Sequence, residues 1–120
     1  MKVLIADDSS IVRKSLKRLL LSLNDHIQVY ESGNVKETLD LFQEMDPDLI
    51  ILDIMMPDGN GLDAIKVIKQ RKPAQKVMIY TNYPSTLNRK KCKAAGADYF
   101  FDKSEDFEKM YSTVKKFHEI

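Results

Sequence analysis

Short apolar runs alternate along the chain with stretches in which apolar residues return every three or four positions. Lys2 to Ala6 reads as a strand. Val12, Leu16, Leu19, Leu20 and Leu23 then recur at helical spacing, with Ser9 or Ser10 available as the N-cap. Ile27 to Glu31 alternates apolar and polar residues, as an edge strand does. Asn34 followed by Glu37 has the form of a capping box, and Val35, Leu39, Phe42 and Met45 make one helix face. Asp46-Pro47-Asp48 breaks that helix. Leu49 to Leu52 is apolar throughout, the pattern of a strand covered on both faces. Gly59 and Gly61 lie in a loop, after which Leu62, Ile65 and Ile68 begin another helical stripe. Val77 to Tyr80 is a fourth strand, Ser85 caps a helix that ends at Gly96, and Tyr99 to Phe101 is a short fifth strand. Ser104 is placed to cap a last helix, with Glu105 and Asp106 at its positive end and Lys115 and Lys116 at its negative end. Phe107, Met110, Tyr111, Val114 and Phe117 form its apolar stripe.

A strand–helix unit repeated five times with short connections predicts an α/β fold, a doubly wound parallel sheet with helices on both faces. Ligands in such sheets bind outside the carboxyl ends of the strands. The unusual polar residues fall there. Asp7 and Asp8 follow the first strand, Asp53 the third and Thr81 the fourth, and Lys103 lies just past the fifth. Asp53 is the sharpest case, because it interrupts the most apolar run of the chain, LIILDIMMP. Three carboxylates gathered at one edge repel one another. A hard divalent cation relieves that repulsion, and oxygen donors of this kind suit Mg²⁺. A carboxylate beside a metal, a hydroxyl and an ammonium is equipped for phosphoryl transfer: the carboxylate attacks phosphorus and the cations stabilise the developing charge.

Composition narrows the picture. A chain of 120 residues, 43% hydrophobic, suits one compact domain spanning 1–120. A formal net charge of +1 gives no argument for nucleic acid as a partner of this domain. Cys92 is the single cysteine, so no internal disulfide is available and a reducing compartment is expected. No apolar run is long enough to span a bilayer, and Val3 to Ala6 is too short for a signal-peptide core, so a cytoplasmic protein without a membrane partner is expected.

The segments LIADDSS, DLIILDIMMPDGNGL, VMIYTN and YFFDKS, in this order and at these intervals, resemble the response-regulator receiver domain of two-component signalling. Each segment is short, but together they are specific and cover essentially the whole chain. The resemblance implies a flavodoxin-like (βα)5 fold with strand order 2-1-3-4-5. It implies that Asp53 is the phosphoacceptor, that Asp8 and the backbone carbonyl of Met55 bind Mg²⁺ directly with Asp53, and that Asp7 acts through water. Thr81 and Lys103 would contact the phosphoryl group, and Phe100 stands where the family carries its switch aromatic, here without a hydroxyl. The implied partners are a sensor histidine kinase or histidine phosphotransfer protein and an unnamed target. Two positions depart from the family pattern: Asn82 follows Thr81 where a small residue is usual, and Ser104 follows Lys103 where proline, often cis, is common. A different loop geometry is therefore expected at Ser104.

Taken singly, each residue has a plainer reading. Asp7 and Asp8 read as helix-capping acids, Asp53 as a loop acid, Thr81 as a strand-end hydroxyl and Lys103 as a solvated lysine. Convergence on one sheet edge is what favours a site. Arg89, Lys90, Lys91 and Lys93 read as a solvated helix face, His26 and His118 as surface residues, and Cys92 as half-buried. The expected activity is a signalling switch that catalyses only its own phosphorylation and dephosphorylation, either as a single-domain regulator or as part of a longer one. A Mg-dependent phosphohydrolase with an aspartyl-phosphate intermediate is the enzymatic alternative. Such enzymes of the haloacid dehalogenase class carry a second acid two residues after the nucleophile, where this chain has Met55. A phosphorylation-independent binding module is the third reading.

Overall fold

The structure, a computed structural model, describes residues 1–119. The elements run β1 (Lys2–Ala6), α1 (Ser10–Leu23), β2 (Gln28–Ser32), α2 (Val35–Met45), β3 (Leu49–Leu52), α3 (Gly61–Arg71), β4 (Lys76–Thr81), α4 (Thr86–Ala95), β5 (Tyr99–Asp102) and α5 (Phe107–Glu119). The five strands form one parallel sheet in the order β2-β1-β3-β4-β5, as expected. The expected span of 1–120 ends on Ile120, which lies outside the described residues.

Alternation along each strand divides the core in two. Leu4, Ala6, Ile50, Leu52, Val77 and Ile79 face the side covered by α2, α3 and α4. Val3, Ile5, Leu49, Ile51, Met78 and Tyr80 face α1 and α5, meeting Leu16, Leu20, Met110 and Val114. Because successive side chains point to opposite faces, a slip of one residue in β3 would exchange the two sets. Each fully buried aliphatic side chain contributes about 1.5–3 kcal/mol, so both faces pin the register that brings Asp53 to the sheet edge.

The helix ends follow local chemistry. Ser9 and Ser85 accept from Val12 N–H and Asn88 N–H at the starts of α1 and α4. Asn34 Oδ1 accepts from Glu37 N–H at 2.8 Å, but Glu37 closes no reciprocal box; its carboxylate accepts from the Asn34 amide instead. Asp46, left-handed at φ 47°, ends α2. Gly96, at φ 105°, ends α4, with Gly96 N–H on the Lys93 carbonyl and Ala97 N–H on the Cys92 carbonyl.

Five expectations are corrected. Ser104 does not cap α5; its N–H donates to Asp102 Oδ1 at 2.8 Å in a tight turn, and α5 begins at Phe107. Phe107 is therefore on the first turn, half exposed and stacked on Tyr111 rather than in the core. Cys92 is fully buried, since it is the residue of α4 that faces the sheet. His118 is half-buried against Asn24, 3.3 Å away. A two-residue antiparallel ladder between Met55–Met56 and Gly59–Asn60 folds the loop after β3, where only a loop was expected. No helix among the described residues is long and apolar enough to cross a membrane.

Candidate functional site

Strand order reverses between β1 and β3, so the loops leaving these neighbouring strands diverge and open a crevice at the carboxyl edge. The parallel ladder extends one residue into each loop. Asp7 N–H donates to the Ser32 carbonyl at 3.0 Å, Asp53 N–H to the Ala6 carbonyl at 2.9 Å, and Lys103 N–H to the Thr81 carbonyl at 2.9 Å. The backbone roots of these side chains are thus held by the sheet itself.

The side chains converge. Carboxylate oxygens of Asp7, Asp8 and Asp53 lie within 4.8 Å of one another. Asp7 and Asp53 are 3% and 5% exposed, while Asp8 opens to solvent. Lys103 Nζ sits 2.5 Å from Asp7 Oδ2 and 3.0 Å from Asp53 Oδ2. The free oxygen of each buried acid also accepts a backbone donor: Asp7 Oδ1 from Ser9 N–H at 2.9 Å, and Asp53 Oδ1 from Ile54 N–H at 2.7 Å.

Burial raises the Asp7 pKa above the ordinary carboxylate value, against the bonds from Lys103 and Ser9 and with help from the Asp53 charge. Burial alone would depress Lys103, but its hydrogen bonds to Asp7 and Asp53 outweigh it and the ammonium is held above its usual pKa. The two directions do not match as a simple ion pair would. One ammonium faces two carboxylates, so the lysine gains from both while Asp7 shares its partner. The pocket carries surplus negative charge.

That surplus fits a cation. Ligand oxygens on an octahedral Mg²⁺ lie about 3–4.2 Å apart, and the three carboxylates here come within 4.8 Å. The donors are hard oxygens, and Asp8 provides the solvent-facing side. Met55, which follows Asp53 by two residues, opens the small ladder and is half exposed.

Thr81 ends β4, fully buried, and its hydroxyl accepts from Tyr83 N–H at 3.2 Å. It is bonded to its own loop rather than to the acids. Phe100 lies in β5, half-buried on the α4 side of the sheet, with the Arg89 guanidinium 4.7 Å from its ring centroid. Arg89, Lys90, Lys91 and Lys93 of α4 are all exposed as expected, and Arg89 in addition has an aromatic partner. All peptide bonds among the described residues are trans, including the one before Ser104.

Three supporting residues escaped the sequence reading. A Cβ on Gly61 would meet the Asp53 carbonyl at 2.4 Å, so α3 can start against the acid loop only with glycine there. Gly61 N–H also donates to the Ile54 carbonyl at 2.6 Å. Arg13 donates to the Asp7 carbonyl at 2.6 Å and pairs with Glu31 at 3.1 Å, tying the first acid loop to β2. Asp58 accepts from Val35 N–H and Lys36 N–H at 2.7 and 3.0 Å, joining the β3–α3 loop to the start of α2. The glycine after Asn60 was the visible signal for Gly61. Arg13 and Asp58 read as ordinary polar positions, because their partners are distant in the chain.

Residues 3–115 match the family model for the response regulator receiver domain. The chain is 32% identical to the transcriptional regulatory protein YhcZ of Bacillus subtilis over 113 residues, which is 94% of this chain and 53% of that protein. It is 30% identical to the sensory transduction protein LytT of the same organism, over 100% of this chain and 49% of LytT. The chain thus spans about half the length of these curated relatives. Among solved structures it resembles the response regulator protein TrrA of Thermotoga maritima in complex with Mg²⁺ and beryllium fluoride, with a TM-score of 0.84, 30% identity and 97% of each chain covered.

Proposed function

Since the chain belongs to the response regulator receiver domain family, we propose that it is a phospho-accepting switch, spanning residues 1–120, whose acceptor is Asp53. The single observation that carries this reading is Lys103 Nζ, held at 2.5 and 3.0 Å between two buried carboxylates at the strand-order switch point. A buried carboxylate pair with one shared ammonium and an open acidic side is short of positive charge, and it is poised to accept a phosphoryl group together with a cation. That TrrA, a structural relative, holds Mg²⁺ and beryllium fluoride supports the same reading.

In the proposed reaction, an Asp53 carboxylate oxygen attacks phosphorus in line with a phosphohistidine nitrogen of a partner kinase or phosphotransfer protein. The P–O bond forms, the P–N bond breaks, and its electron pair returns to the imidazole, which takes a proton. Lys103 orients Asp53 through its 3.0 Å contact, then meets the transferred oxygens. Thr81 exchanges its bond to Tyr83 for one to a phosphoryl oxygen. Asp8, Asp53 and the Met55 carbonyl would hold Mg²⁺ directly, with Asp7 acting through water. When bound, Mg²⁺ neutralises phosphoryl charge that Lys103 alone cannot balance. The change reaches α4 and β5, where Phe100 lies, and alters the affinity of that surface for a target. The setting is cytoplasmic, and no nucleic-acid contact is assigned to this domain. Met55, with no acid–base side chain, stands against the phosphohydrolase alternative.

Incubation with acetyl phosphate and Mg²⁺ followed by intact mass analysis tests the reading. One phosphoryl mass is expected on the parent protein and none on Asp53→Asn or in excess chelator. Label persisting on Asp53→Asn would place the acceptor elsewhere.

A further inference from the structure

Helix α4 is held to the sheet by little apolar surface, since Cys92 is its one fully buried residue. Its first two turns also make polar bonds. They reach back to the loop that precedes it. Asn88 Nδ2 donates to the Tyr83 carbonyl at 3.0 Å, and Arg89 Nε donates to the Pro84 carbonyl at 3.2 Å. The Tyr83 N–H in turn donates to the Thr81 hydroxyl. The same Arg89 side chain places its guanidinium over the face of Phe100, 4.7 Å from the centroid. One side chain thus touches both the loop that engages Thr81 and the aromatic ring of β5. Phe100 has no hydroxyl with which to make a polar contact of its own, so the cation on its face takes that place.

We propose that Arg89 is a positioning residue, a latch that couples the Phe100 ring to the β4–α4 loop, so that ring and loop hold one arrangement together and leave it together. A Thr81 hydroxyl that turns away releases Tyr83 N–H. The loop then shifts at Pro84, the carbonyl leaves Arg89 Nε, and the guanidinium no longer steadies the ring. The regulatory consequence rests on the phospho-acceptor reading above; the coupling itself does not. An exposed cation–π contact shifts an equilibrium by about two- to fivefold, and the latch biases the free arrangement by that amount.

The coupling is read in the free protein, by amide exchange at Tyr83 and by ring signals of ¹³C-labelled phenylalanine. Arg89→Ala is expected to move the Phe100 signals and to speed Tyr83 exchange about two- to fivefold. Lys90→Ala, which removes a neighbouring exposed charge, should change neither. Arg89→Lys keeps a cation near the ring without the Nε–H, so Tyr83 exchange should rise while the ring signals stay near those of the parent. Phe100→Leu should also speed Tyr83 exchange, Phe100→Tyr should not, and Arg89→Ala combined with Phe100→Leu should add nothing to either single change. If Phe100→Leu leaves Tyr83 exchange at the parent rate, ring and loop are independent and the latch is refuted. With Mg²⁺ and beryllofluoride added, Arg89→Ala should bind the phosphoryl mimic about two- to fivefold more tightly. A parent protein that binds no mimic refutes the phospho-acceptor reading, while the free-protein exchange still decides the latch.

Discussion

Replacing Lys103 by methionine removes the one ammonium between Asp7 and Asp53 with little change of shape. At 2.5 and 3.0 Å, and with an effective dielectric constant of about 20, each contact amounts to roughly 5–7 kcal/mol of Coulomb attraction. Much of that is offset by the cost of burying the ammonium, and removal of one partner of a buried pair typically costs about 3–5 kcal/mol. Proton uptake sets a ceiling. From an ordinary carboxyl pKa of 3.8, neutralising one carboxylate costs about 1.4 kcal/mol per pH unit, or roughly 4 kcal/mol at pH 7 and under 2 kcal/mol at pH 5. Asp7 takes that proton most readily, because burial already raises its pKa. A carboxyl with a raised folded-state pKa favours the fold at low pH and loses that contribution as pH rises. The parent's lysine, also raised, keeps its contribution until the alkaline range. The variant should therefore be about 3–4 kcal/mol less stable at pH 7 and about 2 kcal/mol or less at pH 5. Urea unfolding in chelator at both values measures this, and Mg²⁺ should return part of the loss at pH 7. A deficit below about 1 kcal/mol at pH 7, or one that grows on acidification, would show that Lys103 does not balance these carboxylates.

Gly61→Ala, whose Cβ would meet the Asp53 carbonyl at 2.4 Å, should cost about 1–3 kcal/mol or more through backbone displacement, read as a lower urea midpoint at unchanged slope. In Asp58→Ala, Val35 and Lys36 amides should exchange faster while Glu37, capped by Asn34, stays protected. The Asp58 pKa is lowered by its bonds from Val35 and Lys36, so the same two amides of the parent should loosen as pH falls through that depressed value; equal protection at low and neutral pH would contradict it. Met55 and Tyr83, each about half exposed beside the site, offer no group to orient a hydrolytic water. Met55→Asn with Tyr83→Glu should therefore speed loss of phosphate from Asp53 by up to about 10²-fold, and an unchanged lifetime in Mg²⁺ buffer would remove both from that role.

Most of the architecture lies in local pattern. The continuous apolarity of Leu49 to Leu52 requires a strand covered on both sides, and helical spacing in Leu16, Leu20, Met110 and Val114 requires helices to cover it. A parallel sheet follows, and with it a carboxyl edge at which Asp7, Asp53 and Lys103 meet and where Thr81 ends its strand. Their positions past strand ends are a property of sequence order, so their convergence could be read before any coordinates. The tertiary structure decided what depends on distance between segments far apart in the chain. That one lysine bonds two acids, that Asp58 caps a helix 23 residues before it, and that Gly61 must lack a side chain are consequences of strand order and close approach. Local competition explains Ser104, where an Asp102 carboxylate two residues away offers its N–H a nearer acceptor and delays α5 to Phe107. Arg89 shows the same division. Its charge and its place on a polar helix are local, but the ring beneath it comes from β5, and only the packing of α4 across that strand makes the contact.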